Sequence, residues 1–129
     1  MAAFASPEWI EQLDAARVTV DPAVTVELEQ VVTGSPYGDV RYRIVLADGR
    51  VHARPATDAM PPADAVLTVS YATAVELATG ARTGSDAFDE ALVRFRGDLT
   101  RLQDARAALA AAAEALAAAV PGTTYAPAP

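Results

Sequence analysis

The chain has 129 residues, no cysteine and a formal net charge of −7, with ten Lys plus Arg against 17 Asp plus Glu. This length suffices for one domain with a real core, and the 52% of hydrophobic residues exclude disorder of the whole chain. The missing cysteines exclude disulfides and thiolate chemistry, and the acidic balance argues against a nucleic-acid partner, because phosphate contacts need a cationic surface.

The first element in chain order is a short amphipathic helix over residues 6–17, SPEWIEQLDAAR. Ser6 is suited to accept hydrogen bonds from the free amides of the first turn, and Pro7 is pre-set for the first helical position. Three apolar side chains share one face at helical spacing: Trp9, Ile10 and Leu13. We expect residues 1–6 to be flexible and, without a cationic start or a long apolar run, not to form a signal peptide.

An apolar period of two then predicts three antiparallel strands, at residues 24–32, 40–47 and 50–56. Residues 33–39 form the first turn. The dipeptide at positions 48 and 49, Asp-Gly, is a strong signal for a tight hairpin between the second and third strands. Pro55 indicates that the third strand is an edge strand or ends there.

The second half mixes helices and strands. After a loop at 57–64, residues 65–71 read as a fourth strand, and residues 72–80 as a short helix closed by Gly80, which can take the left-handed cap conformation. Residues 82–93 predict a turn and a second short helix, with Ser85 or Asp86 as its cap.

The stretch VRFRGDLTRL (93–102) ends the pattern with a fifth strand, a Gly-Asp break and a long final helix capped by Asp98. That helix runs into an Ala-rich segment at 107–120, interrupted by Glu114 and too short to span a bilayer. Residues 121–129 have the composition of a disordered tail.

This order predicts an α+β fold, in which helices cover one face of a five-stranded, mostly antiparallel sheet and the chain ends in a long Ala-rich helix. The single domain spans residues 7–120. With no leader and no apolar span, we expect a cytoplasmic protein.

Two stretches resemble the sterol carrier protein type 2 (SCP-2) lipid-transfer family. DAVLTVSYATAVELATG (64–80) is similar to the family's strand with an acidic start, its Ser/Asp turn and its short helix closed by Gly. DAFDEALVRFRGDLTRL (86–102) is similar to its Ala-rich helix, short strand, Gly-Asp pair and terminal helix. By order of elements, the similarity covers residues 7–118.

The resemblance implies an apolar tunnel for a fatty acyl chain, a sterol or a similar lipid, bound without catalysis, cofactor or metal. The walls would come from the apolar positions of the sheet and of the second half: Val26, Leu28, Tyr42, Ile44, Leu46, Val75, Leu77, Phe88, Leu92, Phe95, Leu99, Leu102 and Leu109. The same periodicity is equally typical of an ordinary packed core. Tunnel and filled core differ only in whether side chains fill the space.

A second group of residues is cationic and falls on the outer face of one hairpin: Arg41, Arg43, Arg50, His52 and Arg54. One interpretation of this group is an anion-binding surface, for a lipid headgroup, an acyl-CoA phosphate or an acidic membrane. The other is a solvated face whose arginines pair with Glu27 and Glu29. Arg94 and Arg96 extend the same face.

Two rival functions stay open. One is an accessory module with a filled core, in which the Ala-rich helix makes a homodimer or docks a partner. The other is a small enzyme that uses an Asp, Tyr42 or His52 as acid or base. An enzyme would need a buried carboxylate or His52 facing the cavity. One histidine and no cysteine leave little with which to bind a metal.

Overall fold

One five-stranded sheet organises the chain in this computed structural model, which describes residues 2–120 and 122–127. Its strands are β1 Val26–Ser35, β2 Gly38–Ala47, β3 Arg50–Pro55, β4 Ala65–Ser70 and β5 Arg94–Gly97. The helices of the described residues are α1 Pro7–Ala15, α2 Tyr71–Thr79, α3 Gly84–Asp89, α4 Leu99–Asp104 and α5 Arg106–Ala119. The predicted α+β class is confirmed.

The strands lie in the order β3-β2-β1-β4-β5. Three of the four pairings are antiparallel, and β4 lies parallel to β1, so the sheet is mixed and mostly antiparallel, as predicted. Because β4 joins the sheet on the far side of β1, the chain after β3 has to cross over two strands. The first three strands form two hairpins, and β3 lies at the edge that Pro55 indicated.

The helix ends follow the predicted signals with one exception. The Ser6 hydroxyl accepts from the Trp9 amide at 3.2 Å, and Gly80 closes α2 in the left-handed conformation at φ +80°. The cap of α3 is Thr83 rather than Ser85 or Asp86. The helix begins at Gly84, so those two residues already lie in its first turn.

The predicted long final helix is two helices. The Asp98 carboxylate caps α4, accepting from the Arg101 amide at 3.0 Å. Ala105 is the residue between the two helices, with φ −90° and ψ 0°, and α5 begins at Arg106. Ala105 is buried, so the break lies against the core and not in solvent.

Both ends of the described chain pack on the domain, contrary to the expected flexible residues 1–6 and disordered residues 121–129. The Phe4 amide donates to Thr124 O at 2.8 Å, and the Thr124 amide donates to Ala2 O at 3.1 Å. The Phe4 ring lies 5.4 Å from that of Tyr125 and 4.8 Å from that of Trp9. Composition missed this because the two ends are ordered by pairing with each other. Residues 1, 121, 128 and 129 lie outside the described residues.

A close backbone contact fixes β5 against the start of β4. Gly97 has φ +120°, and a Cβ there would lie 2.5 Å from Asp64 O, so only glycine fits. The Asp64 carboxylate accepts from the Glu27 amide at 2.8 Å and pairs with Arg101 Nε at 3.1 Å. This aspartate therefore ties β1, β4 and α4 together.

Candidate functional site

The two faces of the sheet have opposite chemistry. Residues that pair directly across strands share a face, so Gln30 with Tyr42 and Leu28 with Ile44 mark the face that the helices cover. Glu29 with Arg43 mark the opposite face, here called the open face. The helix face contains the fully buried Val26, Val32, Leu46 and Val51.

A cleft of about 660 Å³ lies on the helix face. We call it the helix-face cleft. Its lining comes from the N-terminal segment and α1, from the sheet, from α2, and from α5 with the segment after it: Phe4, Trp9, Leu13, Gln30, Tyr42, Ile44, Ala74, Leu77, Ala78, Thr79, Gly80, Ala113, Glu114, Leu116, Ala117, Val120, Thr123 and Tyr125. Its size is in the range of small-molecule sites.

The small side chains of α5 explain why this space is open. Ala113 and Ala117 line the cleft together with Leu116 and Val120, so half of these four α5-side positions present only a methyl group. A helix with larger apolar residues at those positions would fill the space as an ordinary core. The Ala-rich sequence therefore has a structural consequence: it forms a wall that does not fill the cleft.

Three of the polar side chains that line the cleft are buried or half-buried and lack a hydrogen-bond partner. Trp9, Gln30 and Tyr42 make no side-chain hydrogen bond to another described residue. The Trp9 and Tyr42 rings meet edge to face with centroids 5.6 Å apart, and burial raises the pKa of the Tyr42 phenol above its usual range. The neutral phenol, the indole and the amide offer hydrogen bonds to a polar group inside the cleft.

The predicted wall residues fall into three groups. Tyr42, Ile44 and Leu77 line the helix-face cleft. Another set belongs to the core or packs against it without lining the cleft: Val26, Leu28, Leu46, Val75 and Leu109. Phe95 and Leu102 are partly exposed and also outside the lining.

Three predicted wall residues lie at the surface. Phe88 is 46% exposed, Leu92 37% and Leu99 50%. The expectation assumed that the turn and short helix over residues 82–93 place Phe88 and Leu92 on the core side, but α3 is only Gly84–Asp89, and it buries Ala87 and not Phe88. The final helix is also shorter than expected, because it breaks at Ala105. Its first apolar residue, Leu99, lies on the short α4 and stays outside the cleft.

Sequence reasoning missed several lining residues. Gln30 follows Val26 and Leu28 with a period of two, so the sequence does place this polar residue on the apolar face of the strand. Trp9 lies on the apolar side of α1. Phe4 and Tyr125 carried no signal, since both belong to segments expected to lack structure.

Charged side chains pack against each other on the open face. Glu29 and Arg43 are each 4% exposed, and Arg43 Nε donates to Glu29 Oε1 at 3.1 Å. Arg41 Nε donates to Glu29 Oε2 at 3.3 Å, and Arg41 Nη1 donates to Asp58 Oδ1 at 2.8 Å. These carboxylates raise the pKa of the Arg41 guanidinium. The pairing with Glu27 and Glu29 is confirmed, but the centre of this face is buried and not solvated.

The remaining candidates for acid–base chemistry lie away from the cleft. His52 is on the open face, with Nδ1 at 3.8 Å from Asp14 Oδ1. The buried carboxylate of Glu29 is also on the open face and is held by two arginines. Glu114 is the one charged side chain among the described residues that line the cleft, and it is exposed. The cleft therefore contains no buried carboxylate and no histidine among the described residues.

The described residues contain neither a metal-binding cluster nor a membrane-spanning helix. No group of three or more His, Cys, Asp or Glu side chains is arranged to hold a metal ion in residues 2–120 and 122–127. Within the same residues, no helix has both the length and the apolar character needed to cross a membrane.

Solved structures with this fold are known. A crystal structure of sterol carrier protein 2 superposes with a TM-score of 0.66 at 17% identity, over 94% of this chain and 99% of that one. Palmitated SCP2L2 from Aedes aegypti gives a TM-score of 0.57 at 20% identity, over 90% of this chain and 95% of that one. A double mutant of the sec-alkyl sulfatase PisA1 gives 0.59 at 21% identity, and there 80% of this chain covers only 16% of the enzyme.

No protein-family model matches this chain, and the search of curated proteins gives no match. The likeness is therefore one of fold. It confirms the resemblance to SCP-2 proteins predicted from the sequence, over most of the length of the chain.

Proposed function

We propose that this protein binds a lipid with one polar end in the helix-face cleft, non-covalently and without catalysis. The observation that supports this most directly is the cleft itself, about 660 Å³ between an apolar sheet face and an Ala-rich helix. A protein with the same fold has been solved in palmitated form, which fits a ligand with a long acyl chain. Carriage of that ligand between membranes or enzymes follows as a function of the same site.

Affinity comes from the apolar chain of the ligand. Each methylene removed from water contributes about 0.8 kcal/mol, and 1.4 kcal/mol is a factor of ten in affinity. The dissociation constant should therefore fall about tenfold for every two methylenes added, until the cleft is full. The chain length at which the gain stops measures how much of the cleft a ligand can occupy.

Orientation comes from the polar side chains inside the cleft. Gln30 and Tyr42 face each other across β1 and β2, and the Trp9 ring packs against Tyr42. A hydroxyl or carboxyl group placed there gains hydrogen bonds from groups that otherwise have no partner in the described residues. The acyl chain then lies along α5, past Ala113 and Ala117.

A helix substitution tests the site. Ala117→Trp puts an indole into the cleft from α5. Ala118 is the next residue of the same helix and is exposed like Ala117, but it does not line the cleft, so Ala118→Trp is the control. We expect Ala117→Trp to lower the affinity for a fluorescent fatty acid at least tenfold and Ala118→Trp to change it less than twofold. Thermal unfolding of both variants controls for folding.

Other outcomes would contradict the proposal. Equal binding by the two variants would place the ligand elsewhere. No binding by the unmodified, delipidated protein would favour the accessory module, and the exposed Ala face of α5 would then be tested for self-association. Turnover of a bound ester or thioester at a rate abolished by Tyr42→Phe would favour the enzyme.

A further inference from the structure

Arginines are concentrated on the open face. The chain has ten Lys plus Arg in all. Six arginines occupy paired positions on the open face: Arg41, Arg43, Arg50, Arg54, Arg94 and Arg96. At the paired positions of this face the only carboxylates are Glu27 and Glu29. A chain with a net charge of −7 thus presents one cationic face.

Two cross-strand rows shape a groove on this face. Arg41, Val31, Thr68 and Arg94 form one row from β2 to β5. Arg43, Glu29, Val66 and Arg96 form the next row. Since neighbouring strands lie about 4.8 Å apart, the β2 and β5 backbones that carry these arginine walls are about 14 Å apart. Between them is a space of about 550 Å³, here called the open-face groove, above the partly exposed Val31 and Val66.

The arginines of the two walls differ in whether they already form ion pairs. Arg41 on β2 already bonds Glu29 and Asp58. Arg94 and Arg96 on β5 are exposed and form no ion pair with another described residue. They stand two residues apart on the same side of an edge strand. The β5 wall is therefore free to pair with carboxylates that arrive from outside.

We propose that the open-face groove docks an acidic amphipathic helix of a protein partner. A helix of 10–12 Å diameter is about as wide as the three strand spacings from β2 to β5, and helices that cover a sheet add the second outer layer of a three-layer fold. Its apolar stripe would lie on Val31 and Val66. Glu or Asp beside the stripe would pair with Arg94 and Arg96.

The shape and place of the groove favour a protein helix over a membrane. An anionic bilayer is flat, whereas this surface is concave, and Phe95, the large apolar residue in its lining, is partly buried. The open face also points away from the helix-face cleft, so a membrane bound there would not meet a lipid entering or leaving the cleft. Docking on this face leaves the cleft accessible.

The test uses a synthetic peptide of about 18 residues with Leu at helical spacing and Glu beside it, followed by fluorescence anisotropy. We expect binding that weakens with added salt and at least tenfold weaker binding to Arg94→Glu/Arg96→Glu. The matched control Arg17→Glu/Arg106→Glu makes the same change in net charge at two positions outside the lining of the open-face groove and should lose less than threefold. If the first variant unfolds, Arg94→Gln/Arg96→Gln removes the charge alone.

Several results would overturn the proposal. One is no peptide binding at low salt, and another is an equal loss in both double variants. Binding to vesicles with phosphatidylglycerol but not to the peptide would assign the groove to a membrane. Self-association that depends on Arg94 and Arg96, without peptide binding, would assign it to a second copy of the chain. Binding of inorganic phosphate alone would reduce it to a small-anion site.

Discussion

The two faces of the sheet are buried in different ways. On the helix face, Leu46 and its neighbours are buried because helices cover them, and the Ala-rich α5 leaves a cleft beneath. On the open face no helix of the described residues covers the sheet, yet Arg43 and Glu29 are as inaccessible as the core. Long charged side chains on adjacent strands cover one another. Burial therefore marks packed core on one face and a charge network on the other.

The largest effect should come from breaking that network. Glu29→Gln removes the carboxylate that Arg41 and Arg43 share and leaves the buried Arg43 guanidinium with only its longer contact to Glu27, at 3.6 Å. We expect a loss of about 3–5 kcal/mol in the free energy of unfolding, measured by urea denaturation.

The control for this variant is an exposed pair. Glu76→Gln weakens the contact with Arg82 near the surface and should cost less than about 1 kcal/mol. Similar losses in the two variants would show that the open-face network is an ordinary surface feature.

The core of the helix face gives the next effect. Leu46 is fully buried and does not line the cleft, so Leu46→Ala should cost about 2–5 kcal/mol through a new cavity. Ile44 already borders open space, so Ile44→Ala creates less new cavity and should cost less. The difference between the two variants in urea denaturation measures how open the cleft is in solution, and equal losses would indicate a filled core.

Alkaline pH should weaken the fold through its buried phenols. Burial raises the pKa of Tyr42 and of Tyr71 above their usual values near 10, and the Tyr71 hydroxyl also donates to Ala126 O at 2.6 Å. Above about pH 10 the unfolded chain releases these protons while the folded chain retains them, so stability falls as pH rises. For the fully buried Tyr42 phenol the slope should approach about 1.4 kcal/mol per pH unit, and Tyr71 should add a smaller share in the same direction.

Tyr42→Phe separates this effect from general alkaline unfolding. In urea denaturation at pH 9, 10 and 11, the free energy of unfolding should fall less steeply for the variant. The part of the fall that comes from Tyr71 should remain. The same slope in both proteins would mean that the Tyr42 phenol is accessible to solvent in the folded state.

The smallest effect should come from the exposed apolar residues. Phe88 lies at the surface on α3 and outside the cleft, so Phe88→Trp should leave fatty-acid affinity within twofold and stability within about 0.5 kcal/mol. Loss of ligand uptake in this variant would show that Phe88 lines the ligand cavity after all.

Local signals predicted most of the fold. The period of two located the first three strands to within a few residues, and Ser6, Gly80 and Asp98 fixed helix ends through hydrogen-bond chemistry that depends on neighbours in sequence. The break at Ala105 was not predictable, because alanine has the highest helix propensity and so marks no helix end.

The candidate site was predicted less well, for a related reason. Apolar periodicity identifies which face of a strand is buried but not which buried residues border empty space. Tyr42 and Ile44 line the cleft while Leu46, two positions further, does not. The contributions of Phe4 and Tyr125 depend on pairing between the two ends of the chain, which no local pattern encodes.

The central claim is that the helix-face cleft holds a lipid. The most direct measurement is native mass spectrometry of protein purified without detergent, with extraction and identification of anything bound. We predict a bound mass that matches an amphipathic lipid, is lost on unfolding and is absent from Ala117→Trp. An apo mass for the unmodified protein, together with no displacement of a fluorescent fatty acid, would contradict the account.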